Sequence, residues 1–514
     1  MLPSTGDDAA ADSAHNHPSD GDAPASSAED IESLEHFYFI LSGYRLVPTH
    51  PLSVDLSIPS ALCILHRTLP SGSWGSEKEA ARVEQEVVDL WLGQARSRSD
   101  PPDVPVAAAV GPPAASPPLP SRQSFSGVVC HSARAGLDLF LTAMRGRRPT
   151  EDSGIAVGGP YVDRNEVLIS AVSIPDIARI LRYHGCVPVP IDLDVRTAQM
   201  TPQAVEAAIS PRTWALFVTH IYGRFNPVDP FADIADKHRL CLIEDCAEAF
   251  AGTEYTGHPR SDVALFSFGT IKTQTALGGA LVRFRDPDVA QGARQLRMEW
   301  PVQSTVRYRR KVLLVLVILV LQKPNGSRLL LSLVRALGLD HRPLFIDLLR
   351  NFKAGGEMDR LQQFRLRPCL GLLRALKYRL QYWDPTAFDN DMNKLRVFTR
   401  GLESHGIGVP GSAAHTVNFW LYPIICPPHV HPKRMERALE AYGVFASLGS
   451  TQLTLIHPPA TGSYPRPTNA DALMKQVLYL PVHRHVSEEQ LRVMSRAVVH
   501  AFSALAQPQP RARL

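Results

Sequence analysis

The first thirty residues of this 514-residue chain contain no lysine and no arginine. A secretory signal needs a basic start and an apolar run, and a mitochondrial presequence needs arginines, so neither is expected. The acidic, Ala-, Ser- and Asp-rich composition of 1–30 predicts a disordered tail. Cysteine is sparse and scattered: Cys63, Cys130, Cys186, Cys241, Cys246, Cys369 and Cys426 are odd in number and form no Cys-x-x-Cys pair. This excludes a disulfide framework and a zinc ribbon, and suits a reducing, cytoplasmic setting. The 19 histidines form no His-Glu-x-x-His cluster, so no metal is expected. Net charge is only +4 and no RNA- or DNA-reading motif occurs, which argues against a nucleic-acid partner. Long apolar runs are also missing. The aliphatic run Val312 to Leu321 has ten residues, and a bilayer-spanning helix needs about twice that.

What is present is a chain with 45% hydrophobic residues, long enough for a large core and a second domain. Residues 31–94 read as an N-terminal helical extension. Ser76 and Glu79 form a capping box for a helix that carries Val83, Val87, Leu90 and Trp91 on one side, with Gly93 as its stop. Residues 95–122 are rich in Pro, Ala and Ser and read as a flexible linker. Over 123–297 apolar strands alternate with helices: strands begin at Glu166, Val187, Trp214, Leu240 and Val263, and helices span about 174–184, 201–209 and 228–238. This alternation predicts an α/β fold, a mostly parallel sheet with helices on both faces. Such sheets bind ligands at the carboxyl ends of their strands, and His220, Asp245 and Ser267 fall at such ends.

Residues 298–385 form a basic and hydrophobic helical insertion. Arg307, Arg309, Arg310 and Lys311 precede the aliphatic run, a Pro324-Asn325-Gly326 turn follows, and a second apolar stretch covers Leu329 to Leu339. Two readings stand side by side: a buried core helix, or a shallow peripheral membrane contact through 307–339 with arginines at the headgroups. Residues 386–506 read as a smaller C-terminal α/β domain, and 507–514 as a frayed basic tail.

The chemistry concentrates in two stretches. Leu242-Ile243-Glu244-Asp245 ends an apolar strand in a carboxylate, and Ser267 to Lys272 places a lysine five residues past a serine, ahead of Gly278-Gly279. An aspartate and a lysine so placed are what pyridoxal 5'-phosphate needs. The lysine links covalently to the cofactor's aldehyde, and the aspartate keeps the pyridine nitrogen protonated so that the ring can take up electrons. Four stretches in order, Val187 to Ala208, Thr219 to Gly223, Ile243 to Ala249 and Ser267 to Gly279, together with Leu480-Pro481-Val482-His483, resemble the DegT/StrS-type sugar aminotransferases.

The resemblance implies a three-layer fold-type I large domain with a smaller C-terminal α/β domain, and a homodimer. It implies a transferase that passes an amino group from an amino acid, expected to be glutamate, to a keto-sugar or sugar-like acceptor. Lys272 would be catalytic. Asp245, Ser267 and Lys272 would bind the cofactor. Ala133-Arg134 stands where the family has Gly-Thr in its phosphate loop, Ile174 where an aromatic stacks on the ring, and Glu248 where Gln or His is usual. These three positions are also expected to line the cofactor, with His220 and Tyr222 behind them. No copy of the family's Gly-x-Asn-x-Arg segment, through which a partner subunit completes the site, is found. The competing readings are another pyridoxal-phosphate reaction on the same fold, or a degenerate, membrane-associated scaffold without activity.

Overall fold

The computed structural model describes residues 55–69, 77–93, 125–145, 164–321, 361–414, 416–417, 422–448, 453–460, 464–484 and 486–506. Both predicted tails, the 95–122 linker, Ser76 of the capping box and the apolar stretch 329–339 lie outside the described residues.

The centre is a seven-stranded sheet built from β1 (Ser126–Cys130), β2 (Glu166–Ser170), β3 (Val187–Ile191), β4 (Thr213–Thr219), β5 (Cys241–Asp245), β6 (Val263–Ser267) and β7 (Ala280–Phe284), in the order β1-β7-β6-β5-β4-β2-β3. β7 runs opposite to the other six strands. Every residue of β2, β4, β5, β6 and β7 is buried. That is why these strands read as continuous apolar runs rather than alternating ones: helices cover both faces. On one face lie α3 (Ala133–Arg145), α4 (Pro175–Tyr183) and α7 (Pro287–Met298), sharing a core with Val128, Ile169, Phe217, Ile243 and Leu265. On the other, α5 (Pro202–Ala208) and α6 (Asp229–His238) pack on Leu168, Leu216, Val218 and Leu242. Caps fix where helices start. Thr201 accepts from the Ala204 N–H, Asp286 accepts from Asp288 and Val289, and a proline sits in each first turn.

The remainder of that second face is closed by four helices from two distant stretches: α1 (Ile58–Arg67), α2 (Glu77–Trp91), α8 (Thr305–Leu321) and α9 (Leu370–Gln381). Sequence reading set the 31–94 extension apart from the 298–385 insertion. In the structure α1 and α2 share one core with α8 and α9, joined by Val129, Phe266 and Phe268 of the sheet region. Arg374 pairs with Glu79 and Lys377 with Glu86 across that junction. Val83, Val87, Val88 and Trp91 are the buried positions of α2; Leu90 is only half-buried. Gly93 follows the helix with φ +69°, in the left-handed region.

The aliphatic helix α8 has two apolar sides. Tyr308, Val312, Val315 and Leu319 are buried in the core, while Val306, Leu313, Val317 and Val320 face outward. Among the described residues no helix is long and apolar enough to cross a membrane.

A second core is built by α10 (Pro385–Glu403), α11 (Pro432–Glu440) and α13 (Glu488–Ala506) around the antiparallel pair β8 (Tyr422–Ile425) and β9 (Val477–Leu480). It forms a smaller α/β unit beside the large sheet's core. Ala470 and Leu473 of α12 (Thr468–Gln476) share a separate cluster with Val172, Leu193 and Tyr222.

Candidate active site

Because β1, β4, β5 and β6 are parallel, Ser132, His220, Asp245 and Ser267 meet along one edge of the sheet. The antiparallel β7 enters from that same edge, so the β6–β7 connection crosses it and carries Lys272. The connection is pinned from several sides. The Thr275 hydroxyl bonds the Phe268 and Gly269 carbonyls, the Ala276 and Gly278 N–H groups donate to the Phe268 carbonyl, and the Tyr308 hydroxyl of α8 donates to the Ala276 carbonyl at 2.7 Å. Gly279 has φ +86° and lies so close to Leu376 that a Cβ would sit 2.8 Å from its Cδ1, so only glycine fits there.

Lys272 Nζ stands 3.5 Å from Glu248 Oε1, with the two side chains 17% and 8% exposed. The Tyr222 N–H donates to Glu248 Oε2 at 2.9 Å. Tyr222 adopts φ 58°, ψ 23°, a left-handed conformation uncommon for a tyrosine, and this turn is what aims its N–H at Glu248. Asp245 is buried beside the pair. Its Oδ1 accepts the Ala247 N–H at 3.0 Å, and its other oxygen takes no hydrogen bond among the described residues.

Burial pushes the Lys272 pKa down, and the charges of Glu248 and Asp245 partly offset that. Burial pushes Glu248 and Asp245 up, opposed for Glu248 by Lys272 and the Tyr222 N–H, and for Asp245 by the Ala247 N–H and Lys272. The Ser267 hydroxyl accepts the Gly269 N–H at a long 3.4 Å. At the start of α3, Ser132 Oγ accepts the Ala135 N–H, Ala133 packs against the core, and Arg134 pairs with Asp176 of α4 at 2.7 Å. The Arg134 charge also works to lower the Lys272 pKa. Ile174 is the N-cap residue of α4 and packs against the apolar clusters on both sides of it.

The structure thus brings Asp245, Glu248 and Lys272 together, places Arg134 within electrostatic reach of them, and sets Ser267 at the adjacent strand end. His220 and Tyr222 stand behind. The His220 ring stacks on Phe225 at 4.6 Å, and its Nε2 lies 3.1 Å from Glu244 Oε1.

Sequence reading passed over Glu244. Consecutive strand residues point to opposite faces, so in Glu244-Asp245 only one carboxylate can face the site. Glu244 accepts hydrogen bonds from the hydroxyls of Tyr255 and Ser261, the His258 N–H and the Cys246 thiol. Burial works to raise its pKa, but His220, Tyr255 and the His258 N–H outweigh this and hold it at about 2. His220, Glu244 and Cys246 bring ligand-type atoms within 4.8 Å of one another, yet Glu244's oxygens are already taken by these donors. Asp176, the partner of Arg134, was also missed; its place in the first turn of α4, one strand from the phosphate-loop position, was the available signal.

The donor set fits pyridoxal phosphate. A partly buried amine, a buried carboxylate with a spare oxygen, and a hydroxyl at a helix start are the groups its aldehyde, ring nitrogen and phosphate require. Thr219 Oγ1 and His220 Nδ1, at the end of β4, are buried and have no hydrogen-bond partner among the described residues.

Residues 128–315 match the model of the DegT/DnrJ/EryC1/StrS aminotransferase family. Over this stretch the chain is similar to that family. GDP-perosamine synthase of Caulobacter vibrioides is 34% identical over 173 residues, 33% of this chain and 42% of that protein. The L-glutamine:2-deoxy-scyllo-inosose aminotransferase of Streptoalloteichus tenebrarius is 33% identical over 180 residues, 34% of this chain and 39% of that protein. The chain therefore spans about two fifths of the length of the curated relatives it matches. Among solved structures, E. coli GDP-4-keto-6-deoxy-D-mannose-3-dehydratase with bound hydrated PLP superposes with a TM-score of 0.55 at 12% identity, covering 87% of this chain and all of that one. The fold is the three-layer fold-type I architecture.

Proposed function

We propose that this protein is a pyridoxal-phosphate-dependent aminotransferase that passes an amino group from an amino acid to a keto group on a sugar or sugar-like acceptor. The observation that carries this reading is the buried Lys272 beside Asp245 at the carboxyl edge of the sheet, within a segment that matches an aminotransferase family. When bound, the cofactor supplies a carbonyl carbon that carries the amino group and a ring that takes up electron density. Lys272 holds it covalently and moves protons at Nζ. Asp245 keeps the ring nitrogen protonated. Ser267 and the start of α3 hold the phosphate, with Arg134 adding a cation there. Ile174 supplies an aliphatic wall where the family uses an aromatic one. A second reading, a different reaction on the same cofactor, is favoured by the replacements at Ala133-Arg134, Ile174 and Glu248, and a dehydratase shares the fold.

The test is stepwise. Purified protein loaded with pyridoxal phosphate is mixed with L-glutamate or L-glutamine, and the cofactor spectrum is followed. Conversion to the pyridoxamine form, reversed by a keto-sugar, is the expected result. Loss of water from the keto-sugar in place of its amination, starting from the pyridoxamine form, would establish the second reading.

The surroundings are part of the same proposal: a reducing compartment, a homodimer and a peripheral lipid contact. All seven cysteines are free. The outward stripe of Val306, Leu313, Val317 and Val320 is flanked by exposed Arg307 and Arg310, with no acidic residue in the first turn of α8. A basic-rimmed apolar stripe suits an anionic lipid surface, where each cation adds about 1 kcal/mol in a salt-sensitive way. Sedimentation alone and with anionic vesicles reads both assembly and lipid binding. The dimer is expected alone, and binding to vesicles is expected to fall at least tenfold on changing Leu313, Val317 and Val320 to serine. If those changes instead split the dimer and vesicles never bind, the stripe is a subunit contact.

A further inference from the structure

We propose that Glu248 holds the proton on Lys272, so that the site stores its lysine as a partly buried ion pair and this carboxylate sets the pH at which the free amine becomes available. The inference rests on the aminotransferase reading only for its consequence, the capture of the cofactor's aldehyde; the pair itself stands on geometry.

Both Glu248 oxygens are committed. Oε1 lies 3.5 Å from Lys272 Nζ, and Oε2 accepts the Tyr222 N–H at 2.9 Å. The second bond fixes the carboxylate from behind, and it comes from a residue held in a left-handed conformation that a tyrosine adopts only under constraint. A glutamine at this position could bond the same N–H, but it would bring no charge to the lysine. Separating such a pair inside the protein leaves an uncompensated charge, so a carboxylate aimed at a buried amine favours the ammonium.

Among the described residues, other charged groups also act on the pair. Asp245 at the end of β5 acts on both members, favouring the lysine's charge and opposing the glutamate's, and Arg134 at the start of α3 opposes the lysine's charge. Behind Asp245 stand His220 and Glu244, bound to each other. The Tyr222 phenol points elsewhere, to the Met474 sulfur. Glu248 is the largest contributor opposing burial at Lys272. The sign follows. Removing the carboxylate removes the influence that raises the lysine's pKa, burial then acts less opposed, and the free amine appears at lower pH.

The experiment is competitive acylation of the full-length, cofactor-free protein with a trace of acetic anhydride across pH, with the Lys272 peptide quantified by mass spectrometry. Glu248→Gln is expected to move the midpoint of Lys272 labelling down by about one pH unit or more, which is about tenfold more free amine at a given pH below the midpoint. Glu248→Asp draws the carboxylate back by one methylene and is expected to shift the midpoint the same way by less. It also serves if the glutamine variant does not fold. An unchanged midpoint in the folded variants, or an upward one, overturns the proposal. Capture of pyridoxal phosphate by the wild type is measured in parallel. Failure of capture with a shifted midpoint would reject the cofactor reading and leave the pair intact, whereas capture with an unshifted midpoint would reject the role of Glu248 alone.

Discussion

Lys272→Ala is expected to remove covalent binding of pyridoxal phosphate while leaving the protein folded. Borohydride reduction of the loaded wild type should fix the cofactor to the peptide containing Lys272, and peptide mapping of the variant should find none. The loop does not depend on the lysine for its shape. Thr275 ties it to Phe268 and Gly269, Tyr308 ties it to α8, and the Gln274 N–H and side-chain amide reach Asp55 and the Arg379 carbonyl. Alanine also removes a buried cation, so its loss relieves desolvation even as Glu248 loses its partner. Loss of a positioned acid–base group alone costs about 10²–10⁴-fold in rate. Because the covalent anchor goes too, turnover should fall by at least the upper part of that range. A wild-type label on any other lysine would reject the assignment.

The strands, and the places of Asp245 and Lys272 at and just after the ends of two of them, were legible because each is written in its own short segment. Fully buried strands leave uninterrupted apolar runs, as in Trp214 to Val218 and Val263 to Phe266, and a polar group that follows such a run stands out within its own segment. What joined distant segments was hidden. Nothing in α1 and α2 says that they close the same face as α8 and α9, since that contact spans more than two hundred residues and is written only as complementary apolar sides. The aliphatic helix α8 was ambiguous for the same reason. A helix that is apolar all round gives no direction, and only the fold separates its core side at Val312 and Val315 from its exposed side at Leu313 and Val317. Likeness to the family led to the expectation of Glu248 beside the cofactor, but not to its contacts. The bond from the Tyr222 N–H crosses 26 residues, and it depends on a left-handed turn for which the Tyr222-Gly223 pair was the only local hint. Glu244 was obscured by its neighbour, because two carboxylates in succession look like one acidic motif until the strand's alternation assigns them to different sides.

Asp245→Asn is expected to abolish turnover with little change in fold or in the amount of cofactor bound through Lys272. The substitution is nearly isosteric, and the amide oxygen can still accept the Ala247 N–H that Asp245 Oδ1 accepts at 3.0 Å. The backbone contact from the His220 N–H to the Asp245 carbonyl is untouched, as is the ladder to Thr219 and Leu265. Burial already pushes the Asp245 pKa up, so a neutral side chain is no worse solvated there than a charged one. What changes is the charge presented to a ring nitrogen. An ionised carboxylate favours the protonated ring, and only the protonated ring takes up electron density efficiently when a proton is drawn from the substrate carbon. An amide lacks that charge. The rate of the amino-donor half-reaction, read from the cofactor spectrum, should therefore fall by roughly 10³-fold, within the range that positioned proton-transfer groups supply. Thermal unfolding should shift by no more than a few degrees, as for a change of about 1 kcal/mol or less. A folded Asp245→Asn protein that runs the half-reaction within a few-fold of the wild type would show that the carboxylate merely ends β5, and would remove Asp245 from the site.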